Sequence, residues 1–158
     1  MTEQLHLYTA TVLKDWVDYN GHMNDAAYAI PFSRAVDALM DHIGLSKPER
    51  DATHHTVFTL AMQMRFHQEV KEGEPLTVTG QILEVDSKRL RLFQWLRHGR
   101  EGTLLATCEQ LLASIDQSGP KIAPFLPKTA EALDHLLTAH ATLPIPAEAG
   151  QGITLKRK

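Results

Sequence analysis

A single cysteine, Cys108, stands among the 158 residues. It excludes an internal disulfide, and a reducing cytoplasm is the expected compartment. No apolar run approaches the ~20 residues that cross a bilayer as a helix. The opening "MTEQLHLYTATV" has neither the basic patch nor the apolar stretch of a signal peptide, so no membrane role is expected. Excess positive charge is also missing: the net charge is −3, which argues against nucleic acid as a general partner. Neither a G-x-S-x-G nucleophile elbow nor an H-E-x-x-H zinc motif occurs. Neighbouring His54 and His55 would point opposite ways along an extended chain, so no metal site is expected.

What is present suits one domain over residues 1–158, with 43% hydrophobic residues to form its core. Leu5, Leu7, Thr9, Thr11 and Leu13 share one parity and read as a short strand. In "AAYAIPFSRAVDALMDHIGL", Tyr28, Phe32, Ala35, Val36, Leu39, Met40 and Ile43 recur at helical spacing, with Gly44 as a stop. Few charges interrupt that stripe, so most of the helix should be covered by protein. Pro31 should kink the helix or mark where its regular part begins.

From Thr56 the period becomes two. "TLAMQMRF", "LTVTGQILEV", "RLRLFQWLRH" and "TLLATCEQLLASID" read as strands joined by short turns, several of which contain Gly. Strands so connected imply an antiparallel meander. Cys108, Met62 and Met64 fall within these strands and read as packing residues. Pro120, Pro124 and Pro127 then break the chain before a helix, "KTAEALDHLLTAHA". The end, "LPIPAEAGQGITLKRK", should be mobile or wrap the surface. A sheet curled around one apolar helix buries this order of elements, with a core over about residues 5–115 and a peripheral part over 120–158. Its edge or outer face would remain free for self-association.

One loop stands apart from this plan. "DWVDYNGHMND", Asp15 to Asp25, crowds carboxylates, aromatics, a Gly, a His and an Asn between the first strand and the long helix. Strand, then D-Y-N-G-H-M-N, then helix and meander, resembles the hotdog fold in its 4-hydroxybenzoyl-CoA thioesterase-like branch. The resemblance covers roughly Leu5 to Ile115. Its most specific element is an Asp three residues before a Gly, here Asp18 and Gly21. The wording of the loop, with "FSRAVDALMDHIGL" and "HQEVKEGEPL", most resembles the betainyl-CoA thioesterases of carnitine breakdown.

The resemblance implies an α+β protein whose curled antiparallel sheet of about five strands wraps a long central helix. It implies a homodimer or homotetramer whose protomers share each active site. It implies hydrolysis of an acyl-CoA thioester with no cofactor beyond the CoA of the substrate. Asp18 would be nucleophile or general base, and the backbone N–H near Asp25 would polarise the thioester carbonyl. Elementary chemistry agrees: the reaction needs a carboxylate and donors for the oxyanion, and a helix N-terminus has unpaired N–H groups.

The neighbouring residues have two readings each. His22 could orient substrate or water, or bond only to backbone. Asn24 could contact substrate, yet it suits a helix N-cap. Asp25 is favoured by the helix dipole in any case, and Gly21 permits a backbone conformation closed to other residues. Trp16 and Tyr19 are an aromatic pair beside the acid, able to pack or to hold a quaternary ammonium. In "DSKRLRL" the resemblance makes Lys88 and Arg89, with Arg91 as a lesser candidate, contacts for the CoA phosphates; alternatively they are solvated hairpin charges.

Two rivals use the same fold. Acyl-CoA hydratases or dehydratases carry D-x-N-P-x-H, but here Gly21 replaces the Pro and His22 arrives one residue early. A non-catalytic acyl-CoA-binding protein would need a partner module, and the short C-terminal tail resembles none.

Overall fold

The computed structural model describes residues 3–156. Five strands form one antiparallel sheet: β1 (Leu5–Thr11), β2 (His55–Phe66), β3 (Pro75–Val85), β4 (Arg89–His98) and β5 (Leu104–Asp116). Their order across the sheet is β1-β3-β4-β5-β2, and a two-residue strand, β6 (Lys121–Ile122), pairs with the end of β5. Of the four strands expected as a meander, β3-β4-β5 form one, whereas β2 pairs with β5 instead of β3. β2 lies at one edge and β1 at the other.

The central helix has two parts. A 3₁₀ turn over Asp25–Tyr28 leads into α1, Ala29–His42. Pro31 lies in the first turn of α1, where a missing N–H costs nothing, so it marks the start of the regular helix. Phe32, Ala35, Val36, Leu39 and Met40 form the buried stripe of α1 and join one core cluster with inward residues of the sheet, among them Leu90, Leu92, Leu96 and Leu112. These α1 residues are 0–8% exposed, so the inner face of the helix lies against the sheet.

Two buried amides interrupt this core. Gln94 and Gln110 project from β4 and β5, and the Gln94 amide donates to the Gln110 side-chain oxygen and, at 3.4 Å, to the Phe32 carbonyl. Gln94 Oε1 and Gln110 Nε2 make no hydrogen bond. The pair fastens the first turn of α1 to the middle of the sheet.

The structure adds one helix to the sequence reading. α2 (Lys47–Thr53) is closed by a capping box in which Glu49 accepts from the Ser46 N–H at 2.9 Å. It ends at His54, which adopts a left-handed conformation (φ 58°), so His54 and His55 do not continue as one extended strand. α3 (Pro127–His140) packs on β3, and the chain beyond it wraps the outer face of the sheet. There Gln81 donates to the Pro144 carbonyl, Gly150 N–H to Glu109, and Gln63 and Arg65 to the Gln151 carbonyl. Glu148 is held by Arg65 and His67 at 3.2 and 3.0 Å. Among the described residues no helix is long and apolar enough to cross a membrane.

Candidate active site

The loop is a miniature hairpin. Val17 pairs with Met23, Asp18 N–H donates to the His22 carbonyl at 2.9 Å, and Asn24 N–H donates to the Trp16 carbonyl at 2.8 Å. Asp18 and His22 therefore stand abreast at the closed end of a two-strand ladder. Gly21 turns the chain between them at φ 77°, a left-handed value that favours glycine. Buried Met23 anchors the return strand: its N–H donates to the Val70 carbonyl at 2.8 Å.

Asp18 is half-buried. Its Oδ1 accepts the Asn20 N–H at 2.8 Å, which fixes the carboxylate's orientation. Oδ2 has no hydrogen-bond partner among the described residues and remains available for a substrate or a water. His22 Nε2 lies 3.4 Å from the Glu69 carboxylate.

Six residues further on, the hairpin becomes a helix terminus. Asn24 is the N-cap of the 3₁₀ turn, and its side chain accepts the Ala26 N–H at 3.0 Å. Asp25 Oδ1 accepts the same N–H at 2.8 Å. Among the described residues no hydrogen bond occupies the Asp25 N–H. A capped helix end with one vacant N–H and a carboxylate on the adjoining ladder supplies what acyl transfer needs: a donor for an oxyanion and a nucleophile or base.

A cleft of about 360 Å³ opens on the His22 side, lined in part by Glu69, Lys71, Glu74, His98 and Thr103. His98 donates from Nε2 to Glu74 at 2.6 Å, and its Nδ1 accepts two turn N–H groups. That bond holds the Glu74 carboxyl below its ordinary range.

The aromatic pair expected beside the acid separates. Tyr19 is 96% exposed, whereas Trp16 packs against the core. An aromatic contact missed in the sequence lies close by instead. Tyr28 and Phe66 meet edge to face with ring centroids 5.1 Å apart. Phe66 ends β2, and its proximity to Tyr28 is a long-range contact without a local signal.

Lys88 lies in the β3–β4 turn and Arg89 opens β4, at the opposite end of β3 from the loop. Eleven residues of extended chain make that separation about 30 Å. Arg89 forms a two-pronged pair with Asp86 at 2.9 and 2.7 Å. Arg91 is held between Glu84 and Glu109 at 2.9 and 3.1 Å. A cleft of about 510 Å³ lies here, bordered by Glu84, Arg89, Arg91 and Leu137.

Residues 12–133 match the family model described as the thioesterase-like superfamily. The chain belongs to this superfamily. The curled sheet, the central helix and the class of reaction expected from the loop, thioester hydrolysis, all hold. A betainyl-CoA thioesterase of Pseudomonas aeruginosa is 43% identical over 98% of both chains. An L-carnitine dehydrogenase/betainyl-CoA thioesterase of Agrobacterium fabrum is 39% identical over 97% of this chain, which spans 31% of that longer protein. Among solved structures, a hypothetical protein of Staphylococcus aureus in complex with CoA superposes with a TM-score of 0.88 at 32% identity, over 97% of each chain.

Proposed function

We propose that this protein hydrolyses betainyl-CoA to betaine and CoA, with Asp18 as the reacting carboxylate. The observation that supports this chemistry is that Asp18 Oδ2 and the Asp25 N–H, both carried by one hairpin–helix unit, are each without a hydrogen-bond partner among the described residues. The 43% identity to a betainyl-CoA thioesterase over 98% of both chains supports the acyl group.

Two routes fit this geometry. In one, Asp18 attacks the thioester carbonyl, the C–S bond breaks with departure of CoA thiolate, and water hydrolyses the resulting anhydride. In the other, Asp18 removes a proton from water, which attacks the carbonyl directly. In both, the Asp25 N–H receives the developing oxyanion, and water finally supplies the proton that CoA carries away. Trapping the acyl-enzyme with hydroxylamine separates the routes, because only the first leaves an activated carboxyl on Asp18.

The protein works as a self-assembled oligomer. β2 is a twelve-residue edge strand with Phe58, Leu60 and Met62 exposed, a surface that a second copy would cover. Lys88 and Arg89 lie too far from their own Asp18 for an easy common grip on one CoA, so their phosphate role belongs to a site shared between protomers. The lone, buried Cys108 and the CoA chemistry suit the cytoplasm.

Hydrolysis of a panel holding betainyl-CoA, 4-hydroxybenzoyl-CoA and short- and long-chain acyl-CoA, followed by thiol release, tests the substrate. Betainyl-CoA should give the highest kcat/KM. Preference for another member overturns the acyl assignment while leaving the thioesterase intact.

A further inference from the structure

A trimethylammonium group has no N–H to donate. It can be held only by π faces, carbonyl oxygens and carboxylates arranged around its methyl groups. The two aromatics nearest in sequence to Asp18 do not offer this, since Tyr19 stands in solvent and Trp16 faces the core.

Just beyond Asp25 the chain does offer it. Tyr28 follows Asp25 by three residues in a 3₁₀ turn, where side chains three apart eclipse and lie about 6 Å apart along the axis. The Phe66 ring meets Tyr28 edge to face and is 50% exposed, so it presents surface that Tyr28 does not cover. The Tyr28 hydroxyl donates to the Gln68 carbonyl at 3.3 Å. Glu69 follows, its side chain 76% exposed and 3.4 Å from His22. Val70 then bonds back to Met23 of the hairpin, which keeps residues 66–70 alongside the loop. Burial raises the Tyr28 hydroxyl above its ordinary pKa, and the negative charge of Glu69 raises it further, which marks the corner as electronegative.

We propose that Phe66, backed by Tyr28, the Gln68 carbonyl and Glu69, forms the subsite that holds the quaternary ammonium of the acyl group. The inference rests on the betainyl-CoA reading above. A carbonyl bound at the Asp25 N–H would have its ammonium two bonds away, within reach of a ring one 3₁₀ turn along. Phe66 sits at the far end of β2 from Phe58, so pairing along the exposed stretch Phe58–Met62 leaves it at the mouth of the site rather than at the middle of an interface.

The test compares betainyl-CoA with its neutral carbon isostere, 3,3-dimethylbutyryl-CoA, which has the same shape without the charge. Wild-type protein should prefer the cation. In F66L the ratio of the two kcat/KM values should fall about tenfold, between the limits for exposed and desolvated cation–π contacts. F66W should keep or raise the ratio, since indole is the better π face. E69Q should lower it by roughly two- to fivefold through loss of one nearby partly screened charge. Equal losses on both substrates in F66L, or an unaltered ratio in a variant that melts like wild type, overturn the subsite but leave betainyl-CoA as substrate. Failure of wild-type protein to hydrolyse betainyl-CoA, with turnover of another acyl-CoA, overturns the substrate reading and the subsite with it.

Discussion

Asp18 and His22 face each other across the rung nearest the turn of the loop, with the Asp18 N–H donating to the His22 carbonyl at 2.9 Å. The carboxylate is therefore positioned by backbone pairing rather than by a partner side chain. An acid held this way keeps one oxygen free, which a reacting carboxylate requires.

Gly21 closes that rung at φ 77°, and a Cβ there would meet nothing within 4 Å. Gly21→Ala should thus pay only backbone strain, about 1–2 kcal/mol of stability. Gly21→Asn should lose less, because Asn tolerates the left-handed region better. Urea unfolding of the two variants checks the order.

Asn24 caps the turn that presents the Asp25 N–H. Asn24→Ala should cost about 1 kcal/mol of stability. It should also lower kcat more than it raises KM, since a displaced oxyanion donor matters most in the transition state. Asn24→Ser should recover much of both. Paired kinetics and melting of the two variants separate this from a general loss of fold.

The Gln94–Gln110 pair predicts non-additivity. Gln94→Leu alone strands the Gln110 amide in the core and should cost about 1–3 kcal/mol. The double change to Leu should cost clearly less than the sum of the singles, because no amide is left without a partner. A double-mutant cycle in urea measures the difference.

His140 ties α3 to the sheet: its Nδ1 accepts the Ile82 N–H at 2.9 Å in the interior. Burial lowers its pKa below the ordinary value of 6.5. The unfolded chain therefore takes up this proton first as pH falls. Stability from the neutral ring is complete above about pH 6.5 and is lost as pH drops towards the depressed folded value. Melting temperatures between pH 7 and 5 should fall more steeply for wild type than for His140→Gln; parallel curves would contradict this.

Legibility followed the range of the interactions. The helical stripe of α1 and the alternation of β3 to β5 carry their period in the local sequence, and the structure follows both. The loop was legible because Asp, Gly and Asn serve local turn and cap geometry. The Ser46–Glu49 capping box is carried by "SKPE", where Pro48 and the polar run that follows fit a short helix start. Phe66 against Tyr28 was not legible, since the two are thirty-eight residues apart and meet only when the edge strand folds beside the 3₁₀ turn. Trp16 and Tyr19 show the opposite error: proximity in sequence suggested a pair that the turn splits between core and solvent.

The most direct test of Asp18 as the reacting group is steady-state hydrolysis of betainyl-CoA by wild type and Asp18→Asn. Asn preserves the shape and can still accept the Asn20 N–H, but it can neither attack the thioester effectively nor take a proton from water. The expected result is a fall in kcat of at least about 10²-fold, with an unchanged melting temperature. A variant that folds like wild type and retains its kcat would contradict it.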